Sequence, residues 1–510
     1  MREYDVLVVG SGFGGSVAAL RLTEKGYRVG VLEAGRRFAP GDFARTNWNL
    51  RRYLFLPRLG LRGIQRLTLL DDLFVLSGAG VGGGSLVYAN TLYEPLDPFF
   101  DDPQWSAIAD WRSELAPHYD RARAMLGATE TPFDTPADEV VRSVARRLGV
   151  EHTVRRTTVA VDFDACTRCG GCMVGCRFGA KNTLDRNYLR LAEAGGAVVH
   201  PEREAMLLRR VADGWEVETE RPGAWLRKQR ETVRAREVVL AAGVLGTLKL
   251  LLRSGVGGPH VGELVRSNSE VIVGAGAKST AVDYSQGIAI GSSFEPNAHT
   301  RIEPVRYPKG SNLMGVFSTL LVDGGGAVPR PLRWLGAVAR HPLDALLAAI
   351  PWRWSERTVI LLVMQARDNS LRIRWNGRRL RTERGGGEAA PTWIPEANEA
   401  ARIAAEEMGG LPGSGLNEVL LDRPFTAHIL GGTPISATPA AGVLDAWHRV
   451  WTEPGLHVVD GAAVTANLGV NPSLTIAAQA ERALSFWPER GTPDPRPPLG
   501  ESYERSVAVA

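Results

Sequence analysis

The chain has 510 residues, too many for one compact core, so two or more domains are expected. Its 60 basic and 56 acidic residues leave a net charge of +4, which argues against a dedicated nucleic-acid binder. No apolar run reaches membrane-spanning length, the first residues enter an apolar run with no room for a secretory signal, and all four cysteines fall between Cys166 and Cys176 rather than spread as a disulfide framework, so a cytoplasmic enzyme is the expectation.

The chain opens on YDVLVVGSGFGGSVAALRLTEKGYRVGVLEAG, Tyr4 to Gly35. The apolar run Val6 to Val9 leads into Gly10, Ser11, Gly12, Gly14 and Gly15; a helix-like segment follows, and a second apolar run, Val29 to Leu32, ends in Glu33. Strand, glycine turn, helix, strand and acid in that order form a dinucleotide fingerprint. The first glycine permits the tight turn, the second lets backbone approach a pyrophosphate, and the third lets helix pack on strand. The pyrophosphate then rests on the helix N-terminus, where free N–H groups and the helix dipole favour negative charge. Glu33 is placed to accept the ribose hydroxyls of an adenosine. On this stretch alone the cofactor is FAD or NAD, against the alternative of a glycine-rich loop that merely packs.

Arg36 to Leu76 is irregular and reads as a loop or lid. Leu76 to Asn90, LSGAGVGGGSLVYAN, lacks so many side chains that its main chain can pass close to a bulky planar ligand, the alternative being a flexible loop. The stretch WRSELAPHYDRARAML, within Trp105 to Leu126, predicts a packing helix, and Thr131 to Gly149 another. From Ala197 short strands form a meander; REVVLAAGVLGTLKLLLRSG then returns through Ala241 to Gly246 to strand, turn and helix, so the nucleotide domain is discontinuous. Ser279 to Leu444 alternates strand-like runs with loops and predicts a mainly antiparallel substrate domain. Inside it, Val328 to Trp354 is apolar, tryptophan-rich and flanked by arginine; it fits a membrane-surface contact, a cover over an apolar pocket or ordinary helix packing, and Arg340, His341 and Asp344 exclude a span.

Near the end, Asn471-Pro472 predicts a helix start with Asn as cap and Pro at the first helical position. The positive helix N-terminus suits the negative pyrimidine side of a reduced flavin, which narrows the cofactor to FAD. Asp460 and Gly461, closing an apolar strand, read as a cofactor contact or an ordinary turn. The expected layout is an α/β chain. A Rossmann-like FAD-binding domain occupies 1–130, with the lid at 36–76, together with 197–278 and 445–487. A cysteine segment occupies 131–196, the substrate domain 279–444, and a Pro-rich tail with little structure of its own 488–510.

Cys166, Cys169, Cys172 and Cys176 follow the C-x-x-C-x-x-C-x-x-x-C spacing of bacterial iron–sulfur runs, with Gly170, Gly171 and Gly175 for tight wrapping but Arg177 where proline usually follows. Zinc sites separate their cysteine pairs more widely. Reduced thiols in a packed turn, or disulfides, are the alternative. His428, in TAHILGGTP, can take a hydroxyl proton near neutral pH, which suits oxidation of an alcohol by hydride loss; a histidine beside apolar neighbours can equally be a packing residue.

The ordered motifs SGFGGS with Glu33, GVGGGSLVYAN, AAGVLGT, HILGG and VVDGAAVTANLGVNPSLTIAAQAER resemble the glucose-methanol-choline (GMC) oxidoreductases over nearly the whole chain. Within them the wording is most similar to the cholesterol oxidase branch, and to its mycobacterial-type subgroup through TAHILGG, GAKNTLD and IEPVRY. The resemblance implies oxidation of an apolar, sterol- or lipid-like alcohol to a ketone, with O2 or a redox acceptor taking the electrons. It implies His428 as the active-site base, Asn471 as its assistant at the flavin, and Glu303 near the substrate hydroxyl, the alternative for Glu303 being a pair with a neighbouring arginine. It places Gly83, Gly84 and Ser85 on the flavin-side loop, with Ala205, Asp460, Gly461 and Pro472 as further cofactor contacts. Family members that bind FAD covalently place a histidine in or near that loop; none occurs between Leu76 and Asn90, so non-covalent FAD is expected. A cluster on the four cysteines would instead imply a dehydrogenase passing electrons to a quinone or redox protein.

Overall fold

A computed structural model describes residues 2–224, 228–386, 388–501 and 503. The strand Arg2–Val9 lies at the centre of a parallel sheet, and Val6 to Val9 are buried on both faces, as a strand covered by helices on each side requires. Strand order across the sheet is Val198–His200, Val29–Leu32, Arg2–Val9, Glu231–Leu240, Leu456–Val458. The long strand Glu231–Leu240 has two partners on its outer side. Its first half pairs antiparallel with Gly214–Glu220, which pairs in turn with Glu204–Val211, while its last residues pair parallel with Leu456–Val458. The C-terminal helix Ser473–Ser485 packs against the fingerprint helix Phe13–Glu24 and against Trp111–Leu126, joining one core that includes Leu7, Val17, Val238, Val458 and Leu474. Each fully buried Val or Leu there contributes about 1.5–3 kcal/mol.

The fingerprint glycines are dictated by contact. A Cβ on Gly10, Gly14 or Gly15 would lie 2.1 Å from the Ala241 carbonyl oxygen, 1.9 Å from that of Val459, or 2.0 Å from that of Gly10. Gly12, the N-cap of the fingerprint helix, has nothing within 4 Å of an added Cβ. Gly14→Ala is therefore expected to destabilise the protein by about 1–3 kcal/mol through overpacking and to lower the flavin retained on purification. Melting temperature and the flavin-to-protein absorbance ratio check this.

A second sheet runs Ser318–Leu320, Gly410–Gly415, Val271–Ala277, Thr358–Gln365, Thr300–Val305, Ser292–Asn297, Arg155–Arg156, with every neighbouring pair antiparallel. Helices Pro136–Arg147 and Pro395–Glu407 cover one face, where Ala397, Ala400, Ala401 and Ala404 allow close approach to Val271, Val273, Leu361 and Val363. Period-two alternation turns Ile272, Glu303, Val305, Ile360, Leu362 and Met364 to the other face.

Two expectations change here. The strand Val271–Ala277 lies at the heart of the antiparallel sheet rather than in the nucleotide unit, and Arg155–Arg156 with helix Pro136–Arg147 joins that sheet too, because strand partners distant in sequence decide membership. The stretch 36–76 is more than a lid: Gln65–Leu69 and Phe74–Gly78 form a hairpin, and the latter strand pairs parallel with Phe425–Thr426, just before His428. The tail beyond Pro488 has no helix or strand among its described residues but is tied down. The Arg490 amide donates to the Lys25 carbonyl (2.9 Å), Arg449 donates to the Pro497 carbonyl (2.8 Å), and the Tyr503 hydroxyl donates to Glu114 (2.7 Å). Residues 502 and 504–510 of that expected tail lie outside the described residues. No helix among the described residues is long and apolar enough to cross a membrane.

Candidate active site

The site begins at a backbone turn. Asn268 and Ser269 are non-glycine residues at φ +57° and +47°, a conformation costing about 1–3 kcal/mol each that persists only where surroundings hold it. The surroundings are the segment ahead of Asn471. The Asn268 side chain donates to the Val470 carbonyl (2.9 Å) and accepts from the Gly469 amide (3.0 Å), and the Asn268 amide donates to Asn467 (3.0 Å). One turn thereby fixes Glu270 on its far side and Asn471 on its near side.

Glu270 is buried and gathers the stretch around His428. Its carboxylate accepts from the Ala427 amide (2.8 Å), the His428 amide (3.3 Å) and the Thr426 hydroxyl, and its Oε1 lies 2.7 Å from His428 Nδ1, a charge contact rather than a well-aligned hydrogen bond. On the other side of the ring, the Asn471 amide lies 3.3 Å from His428 Nε2. Polar satisfaction orients the Asn471 nitrogen toward Glu303, donating to Oε1 (3.0 Å) and Oε2 (3.1 Å) and to Thr91 Oγ1 (3.2 Å), and leaves its oxygen to face His428. His428, Asn471 and Glu303, which lie far apart in sequence, therefore meet.

The electrostatics are coupled. Burial pushes the Glu303 carboxyl up to about 7, against the opposing pull of Arg301 and His428. Burial alone would lower His428, but the close contact with the Glu270 carboxylate and the charge of Glu303 outweigh it and raise the imidazole above its ordinary value. Acceptor oxygens facing both ring nitrogens favour the protonated form of His428.

Asn471 does not cap the last helix. Pro472 occupies the N-cap of Ser473–Ser485, with no side-chain cap, and its carbonyl accepts from the Ile476 amide (3.0 Å). The amide that was expected to cap is engaged by Glu303 and His428 instead. Ser473 ties the helix start to the end of the glycine loop, donating to the Thr91 carbonyl (2.9 Å).

Of the residues expected around the cofactor, those of the glycine loop, Glu33 and Asp460 lie at the fingerprint, whereas Ala205 does not. Gly83 and Gly84 begin a tight turn laid on it, an added Cβ on Gly83 falling 2.5 Å from the Gly12 Cα. Ser85 donates to the Gly82 carbonyl (2.7 Å) and accepts from the Leu184 amide (3.0 Å). Glu33 ties three loops together, accepting from Ser11 Oγ (2.6 Å), the Gly35 amide (2.7 Å) and the Gly80 amide (3.2 Å). Asp460, beside Gly461, accepts from Thr247 (2.6 Å) and the Ala462 amide (2.9 Å), and burial raises its carboxyl to about 6. Ala205 sits opposite Thr219 at a bulge on the flanking strand pair. The cradle fits a dinucleotide: open space over Gly12 at a helix N-terminus, and fully buried Asn90 at the end of the glycine loop, whose amide atoms have no hydrogen-bond partner in the protein beyond a weak contact with the Cys172 thiol. Asn90 and Glu270 were missed in the sequence. Asn90 closes the GGGSLVYAN motif; Glu270 has no motif at all.

The iron–sulfur expectation is not supported. Cys166, Cys169, Cys172 and Cys176 are free thiols lining one small cavity, and among the described residues no group of three or more His, Cys, Asp or Glu is placed to hold a metal ion. The glycines expected to wrap a cluster serve packing: a Cβ on Gly175 would lie 2.2 Å from the Phe43 ring, and one on Gly170 2.3 Å from the Ser285 carbonyl oxygen. Cys166 and Cys172 pack with Val159, Val161 and Ile288. Lys181 bridges this loop to the glycine loop, donating from Nζ to the carbonyls of Cys172 (2.8 Å), Tyr88 (2.9 Å) and Leu86 (3.1 Å).

The family model for the N-terminal part of GMC oxidoreductases matches residues 4–280 and that for the C-terminal part matches 340–480. The chain is 50% identical to a cholesterol oxidase of Mycobacterium tuberculosis, spanning 99% of this chain and 95% of that protein. It is 40% identical to a cholesterol oxidase of Acinetobacter baumannii, spanning 96% and 95%. The crystal structure of pyridoxine 4-oxidase from Mesorbium loti superposes with a TM-score of 0.62 at 16% identity, covering 94% of this chain and 98% of that one, a likeness of fold. Sequence and architecture thus agree across nearly the full length, and the chain belongs to the FAD-binding GMC oxidoreductase family.

Proposed function

We propose that this enzyme oxidises the secondary hydroxyl of a sterol or sterol-like alcohol to a ketone. The observation that carries the reading is the meeting of His428, Asn471 and Glu303 beside the apolar sheet face of Ile272, Ile360, Leu362 and Met364, in a chain half identical to a cholesterol oxidase. FAD, when bound, supplies the acceptor for the carbinol hydride, and O2 then takes the electrons as hydrogen peroxide. Ser11, Gly12, Gly14 and Gly15, with Glu33, would hold its adenosine and pyrophosphate; Gly83, Gly84, Ser85, Asp460, Gly461 and Pro472 would line its ribityl and ring end.

The sequence alone favours His428 as the proton acceptor. Its surroundings support a different division of labour. In its protonated form, which the neighbouring Glu270 favours, His428 has no free lone pair, and its Nε2–H can donate to the substrate oxygen and stabilise the negative charge that develops there. Glu303, ionising at about 7, takes the hydroxyl proton, and Asn471 holds the two side chains in register. The O–H proton goes to Glu303, the C–H bond leaves as hydride, and the carbon–oxygen bond becomes the ketone.

Anaerobic mixing of purified enzyme with cholesterol is expected to bleach the flavin absorbance and yield the ketone; in air, one peroxide should appear per ketone. Bleaching by small polar alcohols but not by sterols would refute the substrate class. Ketone formation without peroxide would refute O2 as acceptor.

A further inference from the structure

Helices Arg330–Arg340 and Pro342–Ala349 follow one another along the edge strand Ser318–Leu320 of the antiparallel sheet. Both carry an apolar stripe at helical spacing, Leu332, Leu335 and Ala339 on the first, Leu343, Leu346, Leu347 and Ile350 along and just past the second. Such a stripe normally faces the core. Here it faces out: Leu332 is 57% exposed, Leu335 55%, Leu343 73% and Leu346 57%.

The orientation is fixed by polar anchors on the inner side. Buried Arg330 donates to the carbonyls of Val322 (3.1 Å) and Thr392 (2.6 Å), and Trp334 Nε1 donates to Thr319 Oγ1 (2.8 Å). Arg357 staples the end of the second helix by donating to the carbonyls of Leu347 and Ile350, both at 3.0 Å. The helices cannot roll their leucines inward without breaking these bonds. Exposed Val316, Phe317, Val328 and Trp352 extend the apolar area, whereas monomeric soluble surfaces rarely carry large contiguous patches.

The charge around the patch is net positive. Between residues 326 and 357 stand Arg330, Arg333, Arg340, Arg353 and Arg357, against Asp344 and Glu356, and Glu356 is buried and paired with Arg353. The patch also connects inward. Met314, just before Val316, packs in the cluster of Trp354, Tyr307 and Ile360, and Ile360 in turn packs against Val305, Leu362 and Met364, on the sheet face that carries Glu303.

We propose that this pair of helices, with Val316, Phe317 and Trp352, is a docking surface for an anionic lipid bilayer, lying in the plane of the interface with its leucines among the acyl chains and Arg333 and Arg340 at the headgroups. Docking rests on the exposed stripe and the arginines. Only the further statement, that apolar side chains then pass a lipid-borne alcohol from the bilayer toward Glu303, rests on the sterol reading above.

The test uses the holoenzyme and two vesicle types, phosphatidylcholine alone and phosphatidylcholine with phosphatidylglycerol, without sterol. The enzyme should co-sediment with the anionic vesicles, less so at high salt, and the exposed double variant Leu343→Ser/Leu346→Ser should bind at least about tenfold more weakly, as expected for two lost leucine insertions. The same variant should keep wild-type flavin content and wild-type turnover of sterol delivered by cyclodextrin, while losing turnover of sterol embedded in vesicles. No binding of wild type to anionic vesicles, or equal binding by the variant, overturns the proposal. So does a wild-type dimer that dissociates in the variant without vesicle binding, which would make a second copy the occupant. If cyclodextrin-delivered sterol is not oxidised at all while vesicles still bind, docking stands and the sterol reading falls.

Discussion

His428→Ala is expected to slow anaerobic flavin reduction by alcohol about 10²- to 10⁴-fold, the usual worth of a positioned proton-handling group. The flavin absorbance should stay, because His428 contacts Glu270 and Asn471 rather than the fingerprint. The variant should also be less stable by about 1–3 kcal/mol, since the Glu270 carboxylate keeps its amide donors but loses its buried cationic partner. Adding Glu270→Gln to His428→Ala separates the two effects: melting temperature should recover and the rate should not. A rate near wild type in His428→Ala would remove the ring from the chemistry.

Glu303→Gln is expected to cost a similar factor in reduction rate and, more tellingly, to change the pH profile. In the wild type the rate should rise with pH through about 7, as the raised carboxyl ionises and becomes a base. Stability should move the opposite way. A carboxyl raised above its unfolded value of about 4.3 binds its proton more tightly when folded, so stability is fully present below that value and falls as pH climbs to about 7. Glu303→Gln should flatten both the ascending limb of the rate and this loss of stability. An unchanged ascending limb in the variant would hand the base role back to His428.

The fingerprint and the glycine loop were legible because each sits in a local pattern whose chemistry is readable residue by residue; His428 stood out as one candidate base, whereas Asn471 and Glu303 entered as candidate site residues only through the family resemblance. What the sequence hid was decided by distant partners. Glu270 stands in an unremarkable SNSEVIV, and its role depends on the left-handed turn at Asn268 and Ser269 that residues 467–470 stabilise. Asn471-Pro472 reads as a cap by every local rule, yet its side-chain oxygen, the atom a cap would use, faces His428 while its nitrogen donates to the buried Glu303 carboxylate. The cysteine spacing is equally local; it could not register that Phe43 and Ser285 press on the same glycines. Nor could periodicity alone say which way the stripe of the 330–349 helices would face, since the arginine and tryptophan anchors that turn it outward bond to carbonyls and a hydroxyl from other segments.

The strand Leu456–Val458 and the helix Ser473–Ser485 complete a sheet whose centre is laid down at Arg2–Val9. On the ribosome, at roughly 5–20 residues per second, the first strand waits on the order of tens of seconds for them. During that wait the faces of Val17 and Val238 that these late elements will cover are open, and the proposed cofactor cradle lacks Asp460 and Asn471. Cofactor capture therefore follows synthesis of Leu456–Val458 and Ser473–Ser485, and a nascent chain that stalls before them would be a colourless, aggregation-prone species.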